Sequence, residues 1–309
     1  MSSLSWTLDG MPDQSGRTVV VTGANSGIGF EGTKHFARAG AEVVMACRDL
    51  DRARSAATAV RGAVDDPALT LLELDLADLG SIRSFVDAFE RDHDDLHVLC
   101  NNAGVMAIPR RETADGFEMQ FGVNHLGHYA LTGHLLDALA ATAGESRVVT
   151  QSSGLHENGA LDFDDLDAEA DYDKWDAYAA SKLANLLFAY ELDRRLTAAD
   201  ASVTSVACHP GYADTGLQRR GPEMTGSTLR LWAMRLANRL VAQSAERGAL
   251  PMICAATAPT LEGGEYVGPG GFLNMRGAPA IQDSSARSRD ETLARRLWEV
   301  SAAATGVSV

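Results

Sequence analysis

At 309 residues, 45% of them hydrophobic, the chain has enough apolar material for one large α/β domain or two small ones. Forty-two acidic residues against 27 basic ones give a net charge of −15, a field that repels nucleic acid and argues against such a partner. The apolar runs are strand-length, short of the roughly 20 residues a membrane span needs, and the polar Met1–Gly16 arm lacks a basic-then-apolar export signal.

After that arm, strand-like and helix-like runs alternate. Strands are predicted at Thr18–Thr22, Glu42–Ala46, Leu69–Leu74, Leu96–Cys100, Arg147–Gln151 and Ser202–Ala207. Helical patterns lie at Gly29–Ala39, Asp51–Gly62, Ser81–Arg91, Ala114–Ala141 and Trp175–Ala198. Near-continuously apolar strands alternating with helices predict a parallel, doubly wound sheet covered on both faces. Its ligand crevice falls at the strand carboxyl ends. Nothing marks a linker, so residues 1–309 read as one domain, with 1–15 an N-terminal arm and 276–309 a C-terminal extension.

Two segments break the rhythm. The acidic stretch Leu155–Lys174 reads as a solvated loop rather than a metal site. In 212–243, Leu229, Trp232, Leu236, Leu240 and Val241 recur at helical spacing, with Arg219, Arg220, Arg230, Arg235 and Arg239 largely elsewhere. A substrate lid over the crevice, or a core helix, is expected there; a membrane-surface helix is the sharper alternative. Cys47, Cys100, Cys208 and Cys254 lack metal-ligand spacing and read as buried free thiols of a reducing cytoplasm. No metal is expected. Lys34, Lys174 and Lys182 are the chain's lysines, so most positive charge is arginine. A lysine-poor acidic surface suits a cytoplasm of very high salt, although a GC-rich genome gives the same bias.

Two motifs carry chemistry. Gly23, Gly27 and Gly29 follow the β-branched run Val19–Val21 and open a helix. Free backbone N–H groups and the helix dipole there suit a phosphate, and the glycines let it approach closely. An ordinary glycine turn would look the same in isolation. In Tyr178-Ala179-Ala180-Ser181-Lys182, tyrosine and lysine share a helix face. A lysine ammonium favours phenolate and would lower the tyrosine pKa from about 10 toward neutrality, tuning it for proton transfer. A half-buried tyrosine beside a surface lysine is the plainer alternative.

Together these elements resemble the short-chain dehydrogenase/reductase family over roughly residues 15–270. The family's glycine loop is Thr22–Gly29, its Asn-Asn-Ala-Gly element Asn101–Gly104, and its helix asparagine Asn124. Its serine is Ser153, its tyrosine and lysine are Tyr178 and Lys182, and Pro210-Gly211 with Thr215 matches the later segment. Asn-His-Leu-Gly-His at Asn124–His128, Cys47-Arg48 and Ser-Lys-Leu-Ala-Asn at Ser181–Asn185 look most like the retinol-dehydrogenase and protochlorophyllide-reductase-like branch.

The resemblance implies a single Rossmann-type domain with about seven parallel strands and helices on both faces. It implies Tyr178 as general acid/base, Ser153 as donor to the substrate oxygen, Lys182 on the nicotinamide ribose and Asn124 as holder of a proton-relay water. Gly23, Asn25, Ser26, Gly27, Ile28 and Gly29 would hold the dinucleotide. Asn102, Ala103 and Gly104 would line its adenosine-side ribose, and Asp75 and Leu76 would meet the adenine. Pro210 and Thr215 would sit at the nicotinamide end. The stretch between Ser153 and Tyr178 exceeds that of shorter members and is expected to bulge outward. A homodimer or homotetramer is implied, pairing through the helices near Ala114 and Trp175.

NADP is favoured over NAD because the second strand ends in Cys47 rather than an acid, and Arg48 suits a 2′-phosphate. The competing reading makes Asp49 the ribose acid of an NAD enzyme. The loop also lacks a basic residue before Gly27. A pocket of Ser153, Leu155, His156 and Tyr212 under the lid suits a hydrophobic alcohol, aldehyde or ketone, with His156 and His209 as local hydrogen-bonding residues. A non-catalytic dinucleotide-binding scaffold or sensor and an olefin reductase are the rivals.

Overall fold

The run Thr18–Thr22 is buried along its whole length because it is a central strand with layers packed on both faces. The computed structural model describes residue 4 and residues 6–211, 244–271 and 274–309. The expected lid at 212–243, Tyr212 and Thr215 lie outside the described residues. Eight strands form one sheet in the order β3-β2-β1-β4-β5-β6-β7-β8. They are β1 (Thr18–Thr22), β2 (Glu42–Cys47), β3 (Leu69–Glu73), β4 (Val98–Asn101), β5 (Ser146–Gln151), β6 (Val203–Cys208), β7 (Tyr266–Pro269) and β8 (Pro279–Ile281). All neighbours pair in parallel except β7 with β8. The chain reverses its direction of travel across the sheet between β1 and β4, which opens a crevice above their carboxyl ends.

Alternation along β1 divides the core. Val19 and Val21 pack with Phe36 of α1 (Gly27–Arg38), Ala53 and Ala57 of α2 (Leu50–Arg61) and Met252 of a later helix. Val20 points the other way, toward Phe85 and Phe89 of α3 (Leu79–Asp92). A three-residue turn, α4 (Met119–Phe121), leads through a π-helical turn at Gly122–Leu126 into α5 (Gly127–Ala141). Then come α6 (Lys174–Ala198), α7 (Ala245–Thr257) and α8 (Glu291–Thr305). Among the described residues no helix is long and apolar enough to cross a membrane.

The structure departs from the sequence reading in several places. The helix predicted from Ala114 begins at Met119, because Gly116 (φ +91°) turns the chain and buried Glu118 accepts the Phe121 N–H as a cap. β7 and β8 escaped notice in a stretch rich in glycine and proline, and α7 runs through Pro251. The Leu155–Lys174 stretch does not bulge free. Leu161, Phe163 and Leu166 pack against a small core. The Tyr172 hydroxyl donates to Ile108 O at 2.9 Å, and Asp167 accepts the Glu118 N–H at 2.8 Å.

The C-terminal extension packs on the helices near Ala114 and Trp175 through which subunit pairing is expected. Trp298 of α8 stacks on Phe188 of α6 and meets Tyr129 of α5 edge-on, with the Arg195 guanidinium 4.3 Å from its ring. Val307 and Val309 close over Gly133 of α5. The chain's own residues therefore cover surface of the two helices through which subunit pairing was expected.

Candidate active site

The glycine loop leaves β1 at Thr22, and its conformation admits no side chain at the critical points. Gly23 and Gly27 hold φ of +68° and +55°. A Cβ on Gly29 would come within 2.5 Å of Gly23 O and 2.6 Å of Asn102 Nδ2. Asp49, Asp78, Asp173, Ser244 and Asp290 each cap a helix with a side-chain acceptor. Ser26, at the start of α1, makes no such bond, so the first-turn N–H groups of α1 are left for a ligand.

That turn opens onto a cleft of about 200 Å³. Gly23, Asn25, Ser26, Gly27, Ile28, Gly29, Arg48, Asp75, Leu76, Asn102, Ala103 and Gly104 all line it, as the sequence reading expected. Arg52 joins Arg48 there, and both side chains are exposed. The Asp49 carboxylate is engaged through Oδ1 with the N–H groups of Asp51 and Arg52, at 3.1 and 3.0 Å, as the cap of α2. Cys47 lies buried under the loop, and desolvation pushes its thiol up to about 11. Pro210 follows β6.

Behind the cleft residues Gly104 and Gln151, and not themselves among those that line it, four polar side chains converge from three elements. Tyr178 and Lys182, one turn apart on α6, are 5% and 3% exposed. Ser153 follows β5, capping the short turn Gly154–Asn158 with its hydroxyl and facing the Tyr178 phenol. Lys182 Nζ donates to Gln151 O at 3.1 Å and sits 5.7 Å from the Tyr178 ring centroid. A Cβ on Gly104, a cleft residue, would be 3.7 Å from Lys182 Nζ. Asn124 lies in the π turn, where Oδ1 accepts the Val105 N–H at 2.8 Å and Nδ2 donates to Val105 O and Ser181 Oγ.

Burial dominates the proton affinities of this group. Desolvation pushes Tyr178 up to about 12, opposed by Ser153, and pulls Lys182 down to about 8. The expected pull of Lys182 on Tyr178 toward neutrality is therefore not seen in the structure. Both groups are desolvated together.

Two further residues organise the site. His128 Nδ1–H donates to Asn124 O at 3.0 Å, which leaves Nε2 to accept from the Thr22 hydroxyl at 2.9 Å. Thr22 Oγ1 in turn accepts the N–H groups of Asn102 and Ala103. The histidine thus ties the π turn to both loops of the cleft. Gln151 joins β5 to Lys182, Asn185, Asn102 and Cys208. His128 stood within the quoted Asn-His-Leu-Gly-His pattern, but Gln151 carried no signal beyond its place before Ser152-Ser153. His156 and His209 are local hydrogen-bonding residues. His156 Nδ1 donates to Ser153 O at 2.7 Å, and His209 Nε2 bonds Gln282 Oε1 at 2.8 Å. His156 is 2% exposed, as deeply buried as Tyr178 and Lys182.

These buried imidazoles give the fold an acid limit. Desolvation takes His125 down to about 3 and His128 and His209 to about 4, so the folded chain keeps them neutral. Below the ordinary 6.5 the unfolded chain takes up protons that the folded chain refuses. Stability is then lost as pH falls from 6.5 toward 4, by up to about 1.4 kcal/mol per pH unit for each histidine. Urea unfolding at pH 7.5, 6 and 5 should show this slope, and His125→Gln should flatten it by about one proton's worth. An unchanged slope would remove His125 from the account.

The sequence profile of short chain dehydrogenases matches residues 17–225, and the chain belongs to that family. It is a short-chain dehydrogenase/reductase oxidoreductase with a nicotinamide cofactor. It is 40% identical to human retinol dehydrogenase 11 over 294 residues, 95% of this chain and 87% of the relative. It is 42% identical to mouse polyprenol dehydrogenase over 303 residues, 96% and 86% of the two chains. A crystal structure of an uncharacterized protein from Mycobacterium paratuberculosis superposes with a TM-score of 0.81 at 39% identity, covering 98% of each chain.

Proposed function

We propose that the protein interconverts a hydrophobic alcohol and its aldehyde or ketone with NADP, using Tyr178 as general acid/base. The observation that carries this reading is the convergence of Ser153, Tyr178, Lys182 and Asn124 beside a cleft whose far rim holds Arg48 and Arg52. The bound dinucleotide supplies or accepts the hydride. Its phosphates fit the uncapped first turn of α1 and the glycine cradle, and a 2′-phosphate fits the two guanidinium groups.

The protein's own part is proton handling and orientation. Ser153 donates to the substrate oxygen, which polarises a carbonyl or steadies an alkoxide. Tyr178, held as a neutral phenol at pH 7 by its pKa of about 12, is ready to give its proton to a carbonyl oxygen. Alcohol oxidation needs the phenolate instead and so gains as pH rises. Lys182 binds the nicotinamide ribose, fixed by Gln151 O, while Asn124 holds the π turn against Val105 and Ser181.

The substrate class follows from the relatives named for retinol and polyprenol, both long isoprenoid alcohols. Leu155 and Trp175, the large apolar side chains exposed among the described residues, suit such a chain. The test is a panel of isoprenoid, aliphatic and short polar alcohols and carbonyls with NADP and NAD, run from low to multimolar KCl. Turnover of isoprenoid or long aliphatic substrates, with optimum activity at high salt for this acidic chain, is expected. Activity confined to short polar substrates, or to reduction of an activated carbon–carbon double bond, would replace the substrate class. Best activity without salt would remove the high-salt reading.

A further inference from the structure

α1 and α7 pack against one another on one face of the sheet, where Gly32 gives room to Met252. Beside that contact, Glu31 and His35, one turn apart on α1, face Glu246 in the first turn of α7. The imidazole of His35 is 4% exposed, yet its Nε2 has no hydrogen-bond partner and lies 3.9 Å from Glu246 Oε1. One ligand atom from each of the three residues falls within 4.8 Å of the others. A buried polar nitrogen left unsatisfied costs free energy, so its retention against two carboxylates calls for a partner.

We infer that Glu31, His35 and Glu246 form a site for a divalent transition-metal ion of the Zn²⁺ type, clamping α1 to α7. One imidazole nitrogen with two carboxylate oxygens suits Zn²⁺ or Co²⁺, whereas Mg²⁺ prefers an all-oxygen set. Burial, with the neighbouring Lys34 and Arg38 charges, pulls His35 below the usual imidazole value, the direction that favours a ligand. Ligands about 2.0–2.2 Å from one ion lie within roughly 3.5 Å of each other, so the three groups must draw in by about 1 Å. Glu246, 57% exposed, is free to swing, and Glu31 must release its ion pair with Lys34. The site is structural in kind, since none of its residues lines the cleft. It does not depend on the proposed reaction. It also departs from the expectation of no metal, because the spacing of Glu31 and His35 gains its third ligand only through the packing of α7.

The test is calorimetric titration and thermal unfolding of the full chain with ZnCl₂, alongside the d–d absorption of a CoCl₂ titration. One equivalent should bind with a rise in Tm, unaffected by excess MgCl₂. His35→Gln and Glu246→Gln should each weaken binding at least ten-fold, and Lys34→Met should tighten it by removing the competing ammonium. Glu246 is exposed, so its variant decides the matter even where His35→Gln folds poorly. Uptake that is absent from the wild-type protein, or unchanged in Glu246→Gln, overturns the site and leaves only surface carboxylates binding metal.

Discussion

Tyr178→Phe should lower turnover by about 10³-fold or more while changing cofactor affinity by less than about two-fold. The substitution removes one oxygen from a side chain that is 5% exposed and keeps the ring that packs there, so the fold has little reason to respond. Removing that oxygen eliminates the proton carrier, and Ser153 alone has no pKa suited to the task. The pH profiles add a second reading. With the phenol pushed up to about 12 in the free protein, carbonyl reduction should run flat through neutrality and fall on the alkaline side. Alcohol oxidation should climb with pH, because only the deprotonated fraction accepts the proton. Stopped-flow turnover in both directions, with NADPH fluorescence titration for affinity, separates these outcomes. Turnover retained within ten-fold in the phenylalanine variant would take the acid/base role away from Tyr178.

The elements most legible in the sequence are those buried on both faces or forced by chirality. Val19–Val21 had to be a central strand, because no other assignment hides a continuous β-branched run. Gly23, Gly27 and Gly29 marked a tight turn that a phosphate can approach, and the structure adds positive φ at Gly23 and Gly27 and a backbone contact at Gly29 too close for a methyl group. Tyr178 and Lys182 could be placed on one face from helical spacing alone. What escaped depends on distant partners. β7 pairs with β6 through two residues and owes its existence to that neighbour. α8 is defined by Trp298 finding Phe188 and Tyr129, contacts between segments far apart in the chain. The proton affinity of Tyr178 was misjudged for the same reason: spacing reveals the nearby lysine, but desolvation is set by everything packed around both groups.

The second large effect is expected at the cofactor rim. Arg48→Asp should weaken NADP by about 30-fold to several hundred-fold while changing NAD by less than about three-fold. A charge-assisted contact to phosphate contributes about 1.5–3 kcal/mol, and a carboxylate in its place adds repulsion. Two residues bear on the choice between the dinucleotides. Cys47, at the tip of β2, is buried and cannot accept both ribose hydroxyl hydrogens. Asp49, the alternative acid, also lines the cleft and spends Oδ1 on the N–H groups of Asp51 and Arg52, so the NAD reading rests on its Oδ2. Arg52 remains on the same rim, so the single variant should keep residual NADP binding that Arg48→Asp/Arg52→Ala removes. Both titrations belong at one fixed salt concentration, since screening alone shifts a phosphate contact. The control is Asp49→Asn, which preserves a capping oxygen but loses the charge. If NAD affinity falls in that control while Arg48→Asp weakens both dinucleotides alike, the ribose is held by Asp49 and the arginines serve only the surface.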